Sequence, residues 1–209
     1  MTRYEELTSR DPPGMAEALR RARIGIAGLG GLGSNVAMML VRAGAEDLVV
    51  VDHDIVETSN LNRQCYFAEH VGMRKVDACE AMLHGINPDV RVEKHFAKLD
   101  ASNIRGVFAG CEAVVEALDA ASEKRMLIEA VCAGLPRAIL VCGNGMAGCG
   151  DANAIRTANP FGAVVMCGDG VSDAGESGIA APRVMVCAGH MADAIAEMLS
   201  KERGEWKTF

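Results

Sequence analysis

Residues 23–34 read RIGIAGLGGLGS: an apolar run, glycines at Gly28, Gly30, Gly31 and Gly33, and then the start of a helical pattern. A strand that turns through glycines into a helix is how a nucleotide phosphate comes to rest on a helix N-terminus. Glycine is needed there because side chains would keep phosphate oxygens away from the backbone N–H groups. VVVDHD follows at 49–54. Asp52 ends this second apolar run about twenty residues after the loop, where an acidic side chain suits a pair of ribose hydroxyls. Loop, helix and carboxylate together leave little room for a turn without a ligand.

The rest of the chain continues this alternation. Strands are predicted at 23–27, 47–51, 90–95, 112–117 and 138–142, and helices at 15–22, 33–43, 73–86 and 121–133. Asn87-Pro88 stops the third of these helices, because the residue before proline avoids the helical region. The pattern is that of an α/β protein, Rossmann-like, with a mainly parallel sheet flanked by helices. After 142 the texture changes. GNGMAGCGDAN (143–153) and CGDGVSDAGESG (167–178) are too rich in glycine for regular structure, with short strands predicted at 154–157 and 163–167. A last helix starts near Pro182 and buries Val184, Cys187, Ala188, Met191, Ile195 and Met198 at helical spacing. The expected organisation is a lead-in segment, 1–22, and one nucleotide-binding domain, 23–209.

Bulk properties narrow the function. Half of the 209 residues are hydrophobic and only 4% are aromatic, so the core rests on aliphatic side chains and methionine. A net charge of -7 disfavours non-specific binding of nucleic acid or an anionic membrane surface. No apolar segment opens the chain, and its most apolar late stretch, 182–199, carries Arg183, His190, Asp193 and Glu197, so a soluble cytoplasmic protein is expected. The eight cysteines form no Cys-x-x-Cys pair. A structural zinc site is therefore not expected, and most of the thiols read as small buried hydrophobes.

The glycine loop and Asp52 are shared with NAD dehydrogenases, so the discriminating residues lie further on. SNLNRQ at 59–64 sets Asn60, Arg63 and Gln64 close together, and Lys75 follows in GMRK. A nicotinamide enzyme needs no cation cluster just past its ribose carboxylate. A triphosphate does: arginine grips phosphate oxygens bidentately and lysine adds a point charge.

GLGGLGSN, VDHDIVETSNLNRQ, GMRK and EALDAASEKR, in that order, resemble the ThiF/MoeB superfamily, the bacterial relatives of ubiquitin-activating enzymes. The resemblance covers about residues 15–200. GMAGCGDANAI, CGDG and APRV look most like its short ThiF-type branch (family 2), the sulfur carrier protein ThiS adenylyltransferases of thiamine biosynthesis. It implies ATP-dependent adenylation of the C-terminal glycine of a ubiquitin-fold sulfur carrier with a Gly-Gly end, and a homodimer. By the same resemblance Asp52 would hold the ribose, and the backbone of Gly28 to Gly33 would face the phosphates. Asn60, Arg63 and Lys75 would neutralise the triphosphate, with Asp54 and Gln64 as supporting partners. Asp119 would bind Mg²⁺, although it also reads as the cap of the next helix. Arg3 or Arg10 would reach a partner's ATP. Longer members carry paired cysteines for zinc, which this chain lacks, and some use a late cysteine in sulfur transfer. Cys167, in the CGDG loop, is the nearest thing here to an exposed thiol.

Two other functions fit part of this pattern. A tRNA-modifying dehydratase of the same superfamily would share the ATP site, and a non-catalytic docking module would keep the fold without turnover. The intact Arg63, Lys75 and Asp119 speak against the second.

Overall fold

A computed structural model describes residues 2–201; residues 202–209, the end of the expected 23–209 domain, lie outside the described residues. The chain opens with two helices, α1 (Arg3–Leu7) and α2 (Met15–Arg21), and enters the sheet at β1 (Arg23–Ala27). Then follow α3 (Gly31–Arg42), β2 (Asp47–Asp52), α4 (Lys75–Ile86), β3 (Arg91–Phe96), α5 (Ile104–Val107), β4 (Ala113–Glu116) and α6 (Ala121–Gly134). The final third holds β5 (Ile139–Gly143), β6 (Arg156–Ala158), β7 (Val164–Gly168), α7 (Ala174–Ser177) and the long α8 (Ala181–Ser200).

The seven strands lie in the order β3-β2-β1-β4-β5-β7-β6. Among the described residues only β6 runs antiparallel, on β7 at one edge. Side chains alternate between two apolar layers, as the period of two in a strand demands. Ile24 and Ile26 of β1, Leu48 and Val50 of β2, and Val115 of β4 meet α3, α4 and α8 on one face. Val49 and Val51, Val114, Leu140 and Cys142 meet α5 and α6 on the other. Strands buried on both faces read as continuous apolar runs, which is why they were visible in the sequence.

The predicted stripe of α8, from Val184 to Met198, is buried in the first layer. Helix α4 begins at Lys75, two residues later than predicted, because Met73 and Arg74 are tied to residues 55 and 56 instead. Val56 N–H donates to Met73 O at 2.8 Å, and Ile55 and Arg74 form an antiparallel bridge. Helix α1 was not predicted. Its signal was present as the capping box Thr2-x-x-Glu5, in which each side chain bonds the other's backbone N–H.

The order of the strands creates the site. The chain leaves β1 toward β2 on one side and returns to β4 on the other, so a crevice opens beyond the C-terminal ends of these strands.

Candidate active site

At the mouth of this crevice Gly28 adopts φ +89°, and a side-chain carbon there would lie 2.6 Å from Ala117 O. A side-chain carbon on Gly33 would lie 1.8 Å from Gly28 O, so helix α3 can approach the turn only as glycine. Gly30, the cap residue of α3, offers no side chain to the first turn. The first N–H groups of a helix have no partner within it, and an anion can reach them where no capping side chain intervenes.

Asp52 is buried and holds the loop from below. Its Oδ2 accepts from Leu29 N–H at 2.7 Å, and its Oδ1 accepts from Asp54 N–H at 2.8 Å. Each oxygen keeps a further lone pair for a hydroxyl. Lys75 is 6% exposed, with Nζ 2.7 Å from Asp54 Oδ2 and 3.9 Å from Asp52 Oδ2. The hydrogen bond from Lys75 holds the Asp54 carboxyl below its ordinary value. Gly28, Gly30, Asp52, Asp54, Lys75 and Asp119 line one crevice.

Asp119 is exposed on the opposite lip. It is not the helix cap: Ala120 occupies that position, with no side-chain bond to the first turn. Its carboxylate is thus available to a hard cation, which favours one or two carboxylates together with phosphate oxygens. Among the described residues, Asp52, His53 and Asp54 also bring three ligand atoms within 4.8 Å of one another, but Lys75 already engages Asp54. Asp119 is therefore the better fit to Mg²⁺.

The remaining predicted residues lie beside the crevice rather than in its wall. The Arg63 stem passes 3.4 Å from where a side chain on Gly31 would begin, and its guanidinium donates to Ser59 O at 3.2 Å and Asn62 Oδ1 at 2.8 Å. Asn60 is buried and shapes its own loop, accepting from Glu57 N–H at 3.1 Å. Gln64 is buried next to Gly30, with its Oε1 lacking a hydrogen-bond partner. An orphaned polar atom and a cradle with no side chain are both what a bound nucleotide would satisfy.

Cys167 corrects an expectation. It lies in β7 rather than in the loop, is fully buried, and burial pushes its thiol up to about 12. The exposed thiols are Cys132 and Cys149. Burial governs most of the others, as anticipated.

Several residues of the site were not predicted. Tyr66 OH donates to Leu29 O at 3.0 Å, within 3.4 Å of Lys75 O, and so ties the glycine loop to the lysine. Lys98 and Glu123 form an ion pair of 2.9 Å at the rim, and Leu99 and Leu118 add apolar lining. Beneath Asp119, the buried Glu116 accepts from Lys124 Nζ at 3.0 Å through both oxygens and from Leu118 N–H at 2.8 Å. Burial raises the Glu116 carboxyl, and Lys124 opposes that shift. Tyr66 carried a sequence signal in its place beside the cation cluster; Lys98 and Glu123 carried none.

The ThiF family model matches residues 7–208. The chain belongs to the ThiF family. Among its curated relatives, the SAMP-activating enzyme E1 of Haloferax volcanii is 42% identical over 109 residues, 52% of this chain and 40% of that protein. The ubiquitin-like modifier-activating enzyme 5 of Oryza sativa is 39% identical over 106 residues, 49% of this chain and 25% of that protein. This ThiF-family chain thus spans less than half the length of these relatives. Among solved structures, E. coli tRNA N6-threonylcarbamoyladenosine dehydratase TcdA, in complex with ATP, superposes with a TM-score of 0.84 at 20% identity, covering 94% of this chain and 93% of that one. E. coli MccB gives 0.70 at 19% identity, covering 91% and 61%. At these identities the likeness establishes the fold. Among the described residues no helix is long and apolar enough to cross a membrane.

Proposed function

We propose that this chain binds ATP with Mg²⁺ and adenylates the C-terminal glycine of a small ubiquitin-fold sulfur carrier. One observation carries the reading. A buried ammonium, a side-chain-free helix N-terminus and an exposed carboxylate converge on one crevice at the switch point of the sheet. A point charge placed just past the ribose carboxylate suits the additional negative charge of a triphosphate.

In the proposed reaction a carboxylate oxygen of the carrier attacks the α-phosphorus. A P–O bond to the β-phosphate breaks, and pyrophosphate leaves with the electron pair. The carboxylate is already ionised, so the protein need not remove a proton. It must bring two anions together in line, which calls for positive charge and fixed geometry. The first turn of α3 would cradle phosphate oxygens, Lys75 would carry charge to them, and Arg63 would swing in from its uncharged partners. Asp52 would accept the ribose hydroxyls. Mg²⁺ held by Asp119 would neutralise phosphate charge.

The names of the curated relatives, a SAMP-activating enzyme E1 and a ubiquitin-like modifier-activating enzyme, support a ubiquitin-fold partner. The finer reading, a ThiS-like carrier with a Gly-Gly end in thiamine biosynthesis, rests on the likeness of GMAGCGDANAI, CGDG and APRV to the short ThiF branch. Homodimerisation and a cytoplasmic location belong to the same reading. Arg3 and Arg10, both exposed, are the candidates to reach a second subunit in this reading.

The test is to incubate the protein with Mg-ATP and a Gly-Gly-ended ubiquitin-fold carrier and detect carrier-AMP by intact mass. A carrier lacking its last glycine serves as control. The expected adduct forms on the full-length carrier alone. An adduct-free carrier, with ATP consumed only when tRNA is supplied, would replace this reading with that of a tRNA-modifying dehydratase.

A further inference from the structure

Asn35 stands one turn into α3 and is fully buried. Its Nδ2 donates to two carbonyls: Gly31 O at 2.6 Å on its own helix, and Arg63 O at 2.9 Å, 28 residues further along the chain. Reversing the amide would set its oxygen against two carbonyl oxygens, so its orientation is determined. The other end, Oδ1, is buried with no hydrogen-bond partner. That orphaned acceptor is a cost which an apolar residue of similar size would avoid. The two donated bonds are what the amide supplies in return.

Ser34 reinforces the attachment. Its Oγ accepts from Cys65 N–H at 3.3 Å, and its carbonyl accepts from the Cys65 thiol at 3.2 Å. Residues 63–65 thus hang from the helix that begins at the phosphate cradle. The Arg63 stem starts from this anchored backbone and runs along Gly31. Its guanidinium rests on two uncharged acceptors, Ser59 O and Asn62 Oδ1, which a phosphate displaces through stronger charge-assisted bonds.

We propose that Asn35 is a positioning residue for Arg63, fixing the backbone from which the guanidinium reaches a nucleotide triphosphate. The inference rests on the adenylation reading, because it gives Arg63 a phosphate to meet. Asn35 itself touches no reacting atom in this scheme. It acts by sparing Arg63 a search among loop conformations.

A double-mutant cycle tests it, with Asn35→Ala, Arg63→Ala and the pair assayed by carrier-dependent exchange of pyrophosphate into ATP. Asn35→Ala is expected to lower kcat/KM for ATP about tenfold, and by less than about twofold when Arg63 is already alanine. Equal losses in the two backgrounds would mean that Asn35 serves the fold alone, and would overturn the inference. If Arg63→Ala alone leaves exchange unchanged, the reading of the site fails and the positioning role with it. Where Asn35→Ala does not fold, the cycle is run with Asn35→Ser, which keeps one donor and is expected to lose less.

Discussion

Lys75 Nζ lies 2.7 Å from Asp54 Oδ2, and the lysine is buried while half of the Asp54 side chain faces solvent. The pair holds an ammonium at the crevice wall, with its charge balanced by Asp54. A cation placed in advance needs no reorganisation during the reaction, which is where electrostatic catalysis gains most.

Replacing Lys75 removes that charge. Lys75→Met keeps the stem that packs in the wall, so the fold is expected to survive while the rate of adenylate formation falls on the order of 10²-fold or more. Steady-state kinetics with saturating carrier measures this. A loss of less than about threefold would remove Lys75 from the phosphate site.

The same pair predicts a pH dependence of stability. The Lys75 hydrogen bond depresses the Asp54 carboxyl below its ordinary 3.8. A carboxyl depressed in the folded state stabilises it above the unfolded value, and that contribution is lost as pH falls through the folded value. The stability difference between the native chain and Lys75→Met should therefore be flat at neutral pH and shrink below about 3.8. Because Asp54 is half exposed, solvent screening keeps the effect small. Urea titrations at a series of acidic pH values check it, and a difference that grows on acidification would contradict the pairing.

Asp119 separates two roles that its sequence context left open. A true helix cap changed to alanine costs about 1 kcal/mol. Ala120 holds the cap position here, so Asp119→Ala should leave stability within about 0.5 kcal/mol while adenylation falls on the order of 10²-fold. Thermal unfolding and Mg²⁺ titration of the rate, measured side by side, distinguish the two. Lost stability with retained rate would return Asp119 to a structural role.

The thiols offer a check independent of catalysis. Cys132 and Cys149 are exposed, whereas Cys167 is fully buried with its pKa near 12. Thiolate is the reactive form, so brief alkylation of the native protein should label Cys132 and Cys149 and spare Cys167. Peptide mass spectrometry locates the label. Rapid modification of Cys167 would mean that β7 opens readily.

Much of this site could be read in the sequence because its parts are local. The glycines between 28 and 33, and Asp52 at the end of a strand, belong to a motif whose spacing is set by one βαβ unit. The two-sided burial of β1, β2, β4 and β5 gave continuous apolar runs, and α8 gave a helical stripe. What could not be read depends on contacts between distant segments. Lys98 and Glu123 meet because β3 ends and α6 begins at the same rim, and the bond from Asn35 to Arg63 joins a helix to a loop. Cys167 reads as exposed in the sequence for a related reason: it ends the predicted strand 163–167 but opens the loop-like CGDG, whose first two residues both lie in a strand paired with β5 and β6. Pairing between strands, rather than local composition, decides such a boundary.

In the proposed reaction the crevice activates a protein's terminal carboxylate at the α-phosphate of ATP. Exchange of radiolabelled pyrophosphate into ATP measures that step alone, because it requires reversible formation of the adenylate. With Mg²⁺ and a Gly-Gly-ended ubiquitin-fold carrier present, label should enter ATP, and omitting the carrier or truncating its last glycine should abolish the exchange. Folded protein that binds ATP but exchanges no label with any such carrier would contradict the proposed activation.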